Sequence, residues 1–293
     1  MTDDRRIVTI LVLITVLLVA CSPTTDGNDS GSTLTSQAEL ANSTLTELGD
    51  YYAGTSGLAG ASLKAALHNK VKVALRLTYA RVAYELQYTD ADPNRPDRII
   101  TIYSGRSLPT DMGGSDPNES WNREHVWAKS HGFPRVNMPA HTDLHHIRPC
   151  EISLNRLRGD SMFAELPNRE EVDTAPGIIV DSRGDKFSPP PSVRGDIARM
   201  LFYMELRYEG DDPREPDLRL VDTLPDDVKN GVDAHGSGYH SHLRTLLRWH
   251  QDDPVDNFER RRNQRIFERQ KNRNPFIDHP EFAAMIYQGG SSP

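Results

Sequence analysis

The stretch from Asn122 to Gly159 gathers Glu124, His125, His131, His141, Asp143, His145, His146, Arg148, Glu151, Asn155 and Arg158, and holds five of the chain's 11 histidines. A histidine beside an acid offers a base that titrates near neutrality next to an oxygen ligand for a hard cation. An amide on a following helix offers a second oxygen. Asparagine is a poor residue for a helix interior, so Asn155 needs a reason to be there. A solvent-facing position is the plain reason, and convergence with Glu124-His125 on one metal ion is the chemical one. A second chemistry is open at His141, Asp143, His145 and His146, because alternation along a strand would present three ligands to zinc.

These side chains need elements to hold them. Trp121 to Trp127 alternates bulky and polar residues and reads as a strand, with Asp143 to Ile147 as its partner across a Gly/Pro-containing loop. Pro149 suits a first helical position and Gly159 a stop, which predicts a helix over Pro149–Arg158 that Cys150 would begin as a small buried residue. Neighbours on a regular strand point to opposite faces. Glu124 and His125 can therefore serve one ion only at a bulge or a strand end.

Around this unit, Leu63, Leu67, Ala74 and Leu77 predict one amphipathic helix within Ala61–Leu86, and Arg98–Tyr103 predicts a strand ahead of a turn-rich loop over Pro109–Glu119. Ile197, Met200, Leu201, Met204 and Tyr208 mark a core helix after Gly195-Asp196. The acid-rich stretch Glu209–Asp233, with three prolines, reads as a solvated loop, a calcium site being the alternative. Asp253-Pro254 carries start signals for a helix to about Gln270 with Phe258, Ile266 and Phe267 inward. A short helix over Pro280–Tyr287 closes the pattern.

Three ordered motifs carry a resemblance: Asn122-Arg123-Glu124-His125-Val126-Trp127, Asp143-Leu144-His145-His146-Ile147-Arg148-Pro149, and Asn155 with Arg158-Gly159. Together with Arg194-Gly195-Asp196-Ile197-Ala198-Arg199 and Asn272-Arg273-Asn274-Pro275-Phe276-Ile277-Asp278, they resemble the bacterial endonuclease I family over roughly residues 60 to 288. That family belongs to the ββα-metal, or His-Me finger, nucleases. The resemblance implies an α+β fold in which a ββα-metal core is embedded in a mostly helical single domain. It implies His125 as general base, Glu124 and Asn155 as protein ligands of one divalent ion, and His146 as a brace on the connecting backbone. The ion would be Mg²⁺, with Mn²⁺ or Ca²⁺ as alternatives, and the products 5′-phosphate and 3′-hydroxyl ends of DNA or RNA. Arg148 and Arg158 match as well, as phosphate or leaving-group contacts or as carboxylate salt bridges. His131 and His141, in the connecting loop, take the surface reading.

No fingerprint for reading bases is visible, so a nucleic-acid partner would be held through its phosphate backbone. Arg123 is one candidate donor. Residues 241 to 275 supply more, with nine basic side chains against five acidic (9 − 5 = +4), among them Arg262, Arg265 and Arg273. Local pairing along a helix is the competing reading of that charge.

The 293 residues hold 34 basic and 42 acidic side chains, for a formal charge of −8, and are 37% hydrophobic. This fits one soluble domain with appendages and excludes a collagen, a wholly disordered chain or a multi-span membrane protein. Net acidity argues against coating DNA by charge alone, although a local basic groove acts within a Debye length of roughly 8 to 10 Å. Two cysteines, Cys21 and Cys150, make no disulfide framework. Arg5 and Arg6 precede an apolar run ending Leu18-Val19-Ala20-Cys21, which reads as an export signal and resembles a lipoprotein lipobox with Cys21 lipidated. Ordinary cleavage near Ala20 and an uncleaved anchor are the alternatives. The organisation expected is a signal over 1–21, a Ser/Thr-rich linker over 22–40 and a monomeric catalytic domain over 41–290, touching the membrane only through the lipid. A non-catalytic surface-binding lipoprotein is the rival class, on the strength of Arg-Gly-Asp at 158–160 and 194–196.

Overall fold

In the computed structural model the described residues are 51–166, 176–181 and 184–288. The expected signal, the Cys21 lipidation site, the linker and both edges of the catalytic domain lie outside them. Among the described residues, no helix is long and apolar enough to cross a membrane.

Helix α4 (Arg194–Arg207) runs through the core, with Gly195 and every residue from Ile197 to Arg207 buried. Its Gly195 is required by close approach: a Cβ there would meet the Asp253 carbonyl at 2.0 Å and the Arg199 guanidinium at 2.8 Å. The second Arg-Gly-Asp is thus a packing motif. Around α4 pack α1 (Gly60–Val71), α5 (Leu243–Asp252), α7 (Pro275–Asp278) and strand β8 (Leu218–Val221). A second apolar cluster joins Val82 and Leu86 of α2 (Tyr79–Thr89) to Ile99 and Leu108 of the antiparallel pair β1 (Arg98–Ile100) and β2 (Ser107–Pro109). Trp121, Leu144, Ile147 and Ile266 complete it, the last from α6 (Asn257–Gln270). The short helix α8 (Glu281–Tyr287) packs on α1 and α7.

The unit that matters for chemistry is β3 (Trp121–His125) paired antiparallel with β4 (Ile147–Glu151), followed at once by α3 (Ile152–Arg158). The register sets Glu124 opposite Arg148 and His125 opposite Ile147. Beyond it, β5 (Met162–Phe163) and β6 (Ile179–Val180) flank β7 (Lys186–Ser188), and β8 pairs parallel with β9 (Gly238–Ser241). Helices and small, mostly antiparallel sheets segregated in this way make the protein α+β.

Several expectations need correction. The helix read over Ala61–Leu86 is two, because Thr78 caps a new start by accepting a hydrogen bond from the Arg81 N–H at 3.2 Å. The second strand is Ile147–Glu151 rather than Asp143–Ile147, so Pro149 and Cys150 lie in a strand and the helix begins at Ile152. Pro149 has no N–H to lose there, and its carbonyl still accepts from Ile102 at 2.9 Å. The helix read from Asp253 starts at Asn257 instead, with Asp256 and Glu259 forming a reciprocal capping box, while Asp253 ends α5. Ile266 faces inward as expected, whereas Phe258 and Phe267 are half-buried. The acidic stretch holds β8, and its acids are spent on separate cations, Asp211 on His68 and Lys72 and Glu215 on Arg207.

Candidate active site

A cleft of about 440 Å³ is lined by residues of β3 and α3 together with Tyr79, Lys129 and Asp160. Strand β3 ends at His125, so Glu124 and His125 reach this cleft from the point where regular alternation stops. His125 is 6% exposed. Its Nε2 lies 3.1 Å from the carbonyl oxygen of His141. A carbonyl only accepts, so Nε2 carries the proton and Nδ1 keeps its lone pair. Burial pushes the ring's pKa well below its ordinary value, with His146 adding to the effect, and the imidazole is neutral at pH 7.

Glu124 is buried, and both of its side-chain contacts fall on Oε1: the Tyr103 hydroxyl donates at 2.6 Å and Arg158 Nη1 lies at 3.2 Å. Burial raises its pKa against the opposing pull of Arg158 and Tyr103. Asn155 is held by its nitrogen, since Nδ2 donates to Asn122 Oδ1 at 2.6 Å and to the Arg123 carbonyl at 3.2 Å. The carbonyl partner fixes which way the amide faces, and among the described residues its oxygen has no partner. That is the reason for an asparagine in the middle of α3. One carboxylate and one amide oxygen on the wall of a single cleft fit a hard divalent ion that keeps several waters. They do not suit zinc in a closed site.

The zinc alternative fails on geometry. Asp143 accepts from the Tyr203 and Tyr208 hydroxyls at 2.9 and 2.8 Å. Backbone carbonyls engage the histidines: His141 Nδ1 donates to Phe133, His145 Nε2 to Asn272 and His146 Nε2 to Ala140. Among the described residues, no group of three or more His, Cys, Asp or Glu side chains is placed to hold a metal. His131 and His141 are buried, contrary to their surface reading.

Most of the expected arginine contacts are also elsewhere. Arg148 turns from the cleft into a buried pair with Asp90, its Nε 2.6 Å from Oδ1. Arg262 shares Asp90 at 3.0 Å and donates through Nη2 to the carbonyls of Leu144 and Ile147. Arg265 donates to the Tyr88 carbonyl at 2.6 Å, and Arg273 to Asp278 at 2.6 Å and Gln264 at 2.6 Å. Protein oxygens thus occupy the cations that were expected to track a nucleic acid, from distant segments at Arg262 and Arg265 and from near neighbours at Arg273. Arg158 borders the cleft, yet Nη1 and Nη2 donate to the carbonyls of His125 and Val126 at 2.9 and 2.7 Å, bracing the end of β3. Arg123 is the arginine of the expected set that stays available: it lies on the Tyr79 ring at 3.6 Å, donates once to the Tyr79 carbonyl and lines the cleft. Lys129, exposed on the same wall, was missed, as were Tyr79 and the His141 carbonyl. No local pattern marks these residues, whose roles come from where the chain folds back.

Known proteins resemble this chain closely. The family model described as Endonuclease I matches residues 59–281. An extracellular ribonuclease of Bacillus subtilis (strain 168) is 44% identical over 81% of this chain and 78% of its own length. An extracellular ribonuclease of Bacillus amyloliquefaciens is 44% identical over 88% of this chain and 85% of its own. An extracellular deoxyribonuclease of Aeromonas hydrophila is 27% identical over 46% of this chain and 49% of its own.

Proposed function

Because the chain belongs to the endonuclease I family and is a nuclease, we propose that it is an exported, divalent-metal-dependent endonuclease of the ββα-metal class. It cuts RNA in preference to DNA and leaves 5′-phosphate and 3′-hydroxyl ends. It acts as a monomer and is tethered to the membrane through Cys21. RNA preference and export rest on the names of the two relatives at 44% identity, both extracellular ribonucleases. The tether rests on the residues before Cys21.

The observation that carries this reading is the tautomer that the His141 carbonyl sets at His125, whose Nδ1 has no partner among the described residues and which lines one cleft with Glu124 and Asn155. A water beside the substrate phosphate gives its proton to Nδ1, and the His141 carbonyl holds the ring and stabilises the imidazolium that forms. Such a base contributes about 10² to 10⁴ in rate. Glu124 and Asn155 would hold the divalent ion, Mg²⁺ or else Mn²⁺ or Ca²⁺, which would supply charge neutralisation on the phosphate and leaving oxygens. Tyr103 and Arg158 set the Glu124 carboxylate, and Arg158 also fixes the peptide carrying His125. Arg123 and Lys129 orient the phosphodiester from the cleft wall. His146 keeps the loop between the strands in place through Ala140.

The test is cleavage of structured RNA and of supercoiled plasmid by the purified protein, with and without Mg²⁺, Mn²⁺ or Ca²⁺. The expected result is metal-dependent internal cutting, faster on RNA, with 5′-phosphate ends. Turnover that survives exhaustive chelation, or no cleavage of either polymer by a folded protein, contradicts it.

A further inference from the structure

A second cavity, of about 520 Å³, adjoins the catalytic cleft and shares Asp160 with it. That volume suits a ligand of nucleoside size. His131 stands on its wall, only 3% exposed, and neither ring nitrogen has a hydrogen-bond partner among the described residues. The ring is wedged. Gly231, at φ +73°, lies so close that a Cβ would meet ring atoms at 2.4 to 2.6 Å, and the His131 carbonyl accepts from Trp127 Nε1 at 2.9 Å. Nδ1 is buried without a partner, while the residue itself lines the cavity. A polar side chain held buried and unpaired calls for a partner that the protein does not supply.

The rest of the wall tells what that partner is. Asp160 and Asp222 set carboxylates on the wall beside the ammonium of Lys186, and burial keeps His131 neutral by lowering its pKa to about 4. Met162, Leu224 and Val228 offer apolar surface to the face of a flat ring. We propose that this cavity receives the unstacked base of the nucleotide next to the scissile phosphate, and that guanine is the base it accepts best. The proposal rests on the nuclease reading. Carboxylates accept only, and guanine alone sets two donors, N1–H and N2–H₂, side by side on its pairing edge. Adenine and cytosine place a ring acceptor beside their amine, and uracil flanks its N–H with two carbonyls. Since a paired base cannot enter, single strands are cut in preference to duplexes of the same sequence.

Two measurements test this. The first compares cleavage of unstructured RNA with guanine or an abasic nucleotide next to one scissile bond. We expect a KM about tenfold higher for the abasic strand with kcat little changed. Val228→Trp, which fills the cavity, erases the difference between the two strands. The second is titration of metal-free protein with guanosine, which carries no phosphate, while the histidine ring signals are followed by NMR. The His131 signal shifts in the wild type and not in Val228→Trp. Equal KM for the two strands at normal turnover, or an unmoved His131 signal, overturns the proposal. If no strand is cleaved, the nuclease reading fails by itself, and the guanosine titration still decides whether a base binds.

Discussion

The end of β3 and the basic segment 241–275 put polar side chains to opposite ends. In the basic segment, Arg262 and Arg273 are buried, and the donors named above are spent on protein oxygens, those of Arg262 on a carboxylate and carbonyls of other segments and those of Arg273 on Asp278 and the nearby Gln264 amide. At the end of β3, the groups are held by one atom and, among the described residues, have no side-chain partner at another: His125 is held by Nε2, Asn155 by Nδ2 and Glu124 by Oε1. Satisfaction at both ends makes a brace, and satisfaction at one end makes a reagent. Charge and residue type alone do not separate the two.

Truncating a brace makes the sharpest contrast. Arg262→Ala leaves the carbonyls of Leu144 and Ile147 without a donor and removes half of the cationic cover of Asp90, whose other partner is Arg148. We expect a loss of roughly 3 to 5 kcal/mol in a denaturant titration, while the folded fraction still cleaves normally. Normal stability with weakened RNA binding would return Arg262 to the substrate.

Acid should act on the braces next. Folding keeps His145 neutral down to about 4 and His240 down to about 3, against an ordinary value of 6.5. The unfolded chain therefore takes up more protons as the pH falls below 6.5, and stability drops through that window until the folded groups protonate. For His145 the loss is roughly 3 kcal/mol. Unfolding midpoints measured from pH 7 to pH 4 should fall steadily, and a flat profile would deny that these rings are buried neutral.

The smallest effect belongs to Arg123, half-buried on the cleft wall. Arg123→Ala should raise KM for RNA about tenfold, corresponding to one charge-assisted phosphate contact of about 1.4 kcal/mol, with stability nearly unchanged. An unaltered KM would place the phosphate elsewhere, with Lys129 as the exposed cation still on that wall.

The family, the strand-strand-helix order and the core helix over Ile197–Tyr208 were legible because they are local in sequence. Boundaries were less so. Pro149 looked like a helix start because a missing N–H suits both a first helical turn and a strand position that donates nothing, and only pairing with Arg123 decides between them. Thr78 carried a capping signal that an unbroken apolar period concealed. The arginines misled for a different reason: the acceptors of Arg262 lie at Asp90, Leu144 and Ile147, far away in the chain, and no window of sequence contains them. His141 serves through its backbone carbonyl, a group every residue has, so its side chain could announce nothing.

The most direct test of the account is chemical rescue of His125→Ala. With RNA and Mg²⁺, the folded variant should cleave about 10² to 10⁴ times more slowly than the wild type, and added imidazole should restore part of the rate in proportion to its unprotonated form. His146→Ala should show no such rescue. Wild-type turnover in His125→Ala, or rescue confined to His146→Ala, would contradict the assignment of the base to the end of β3.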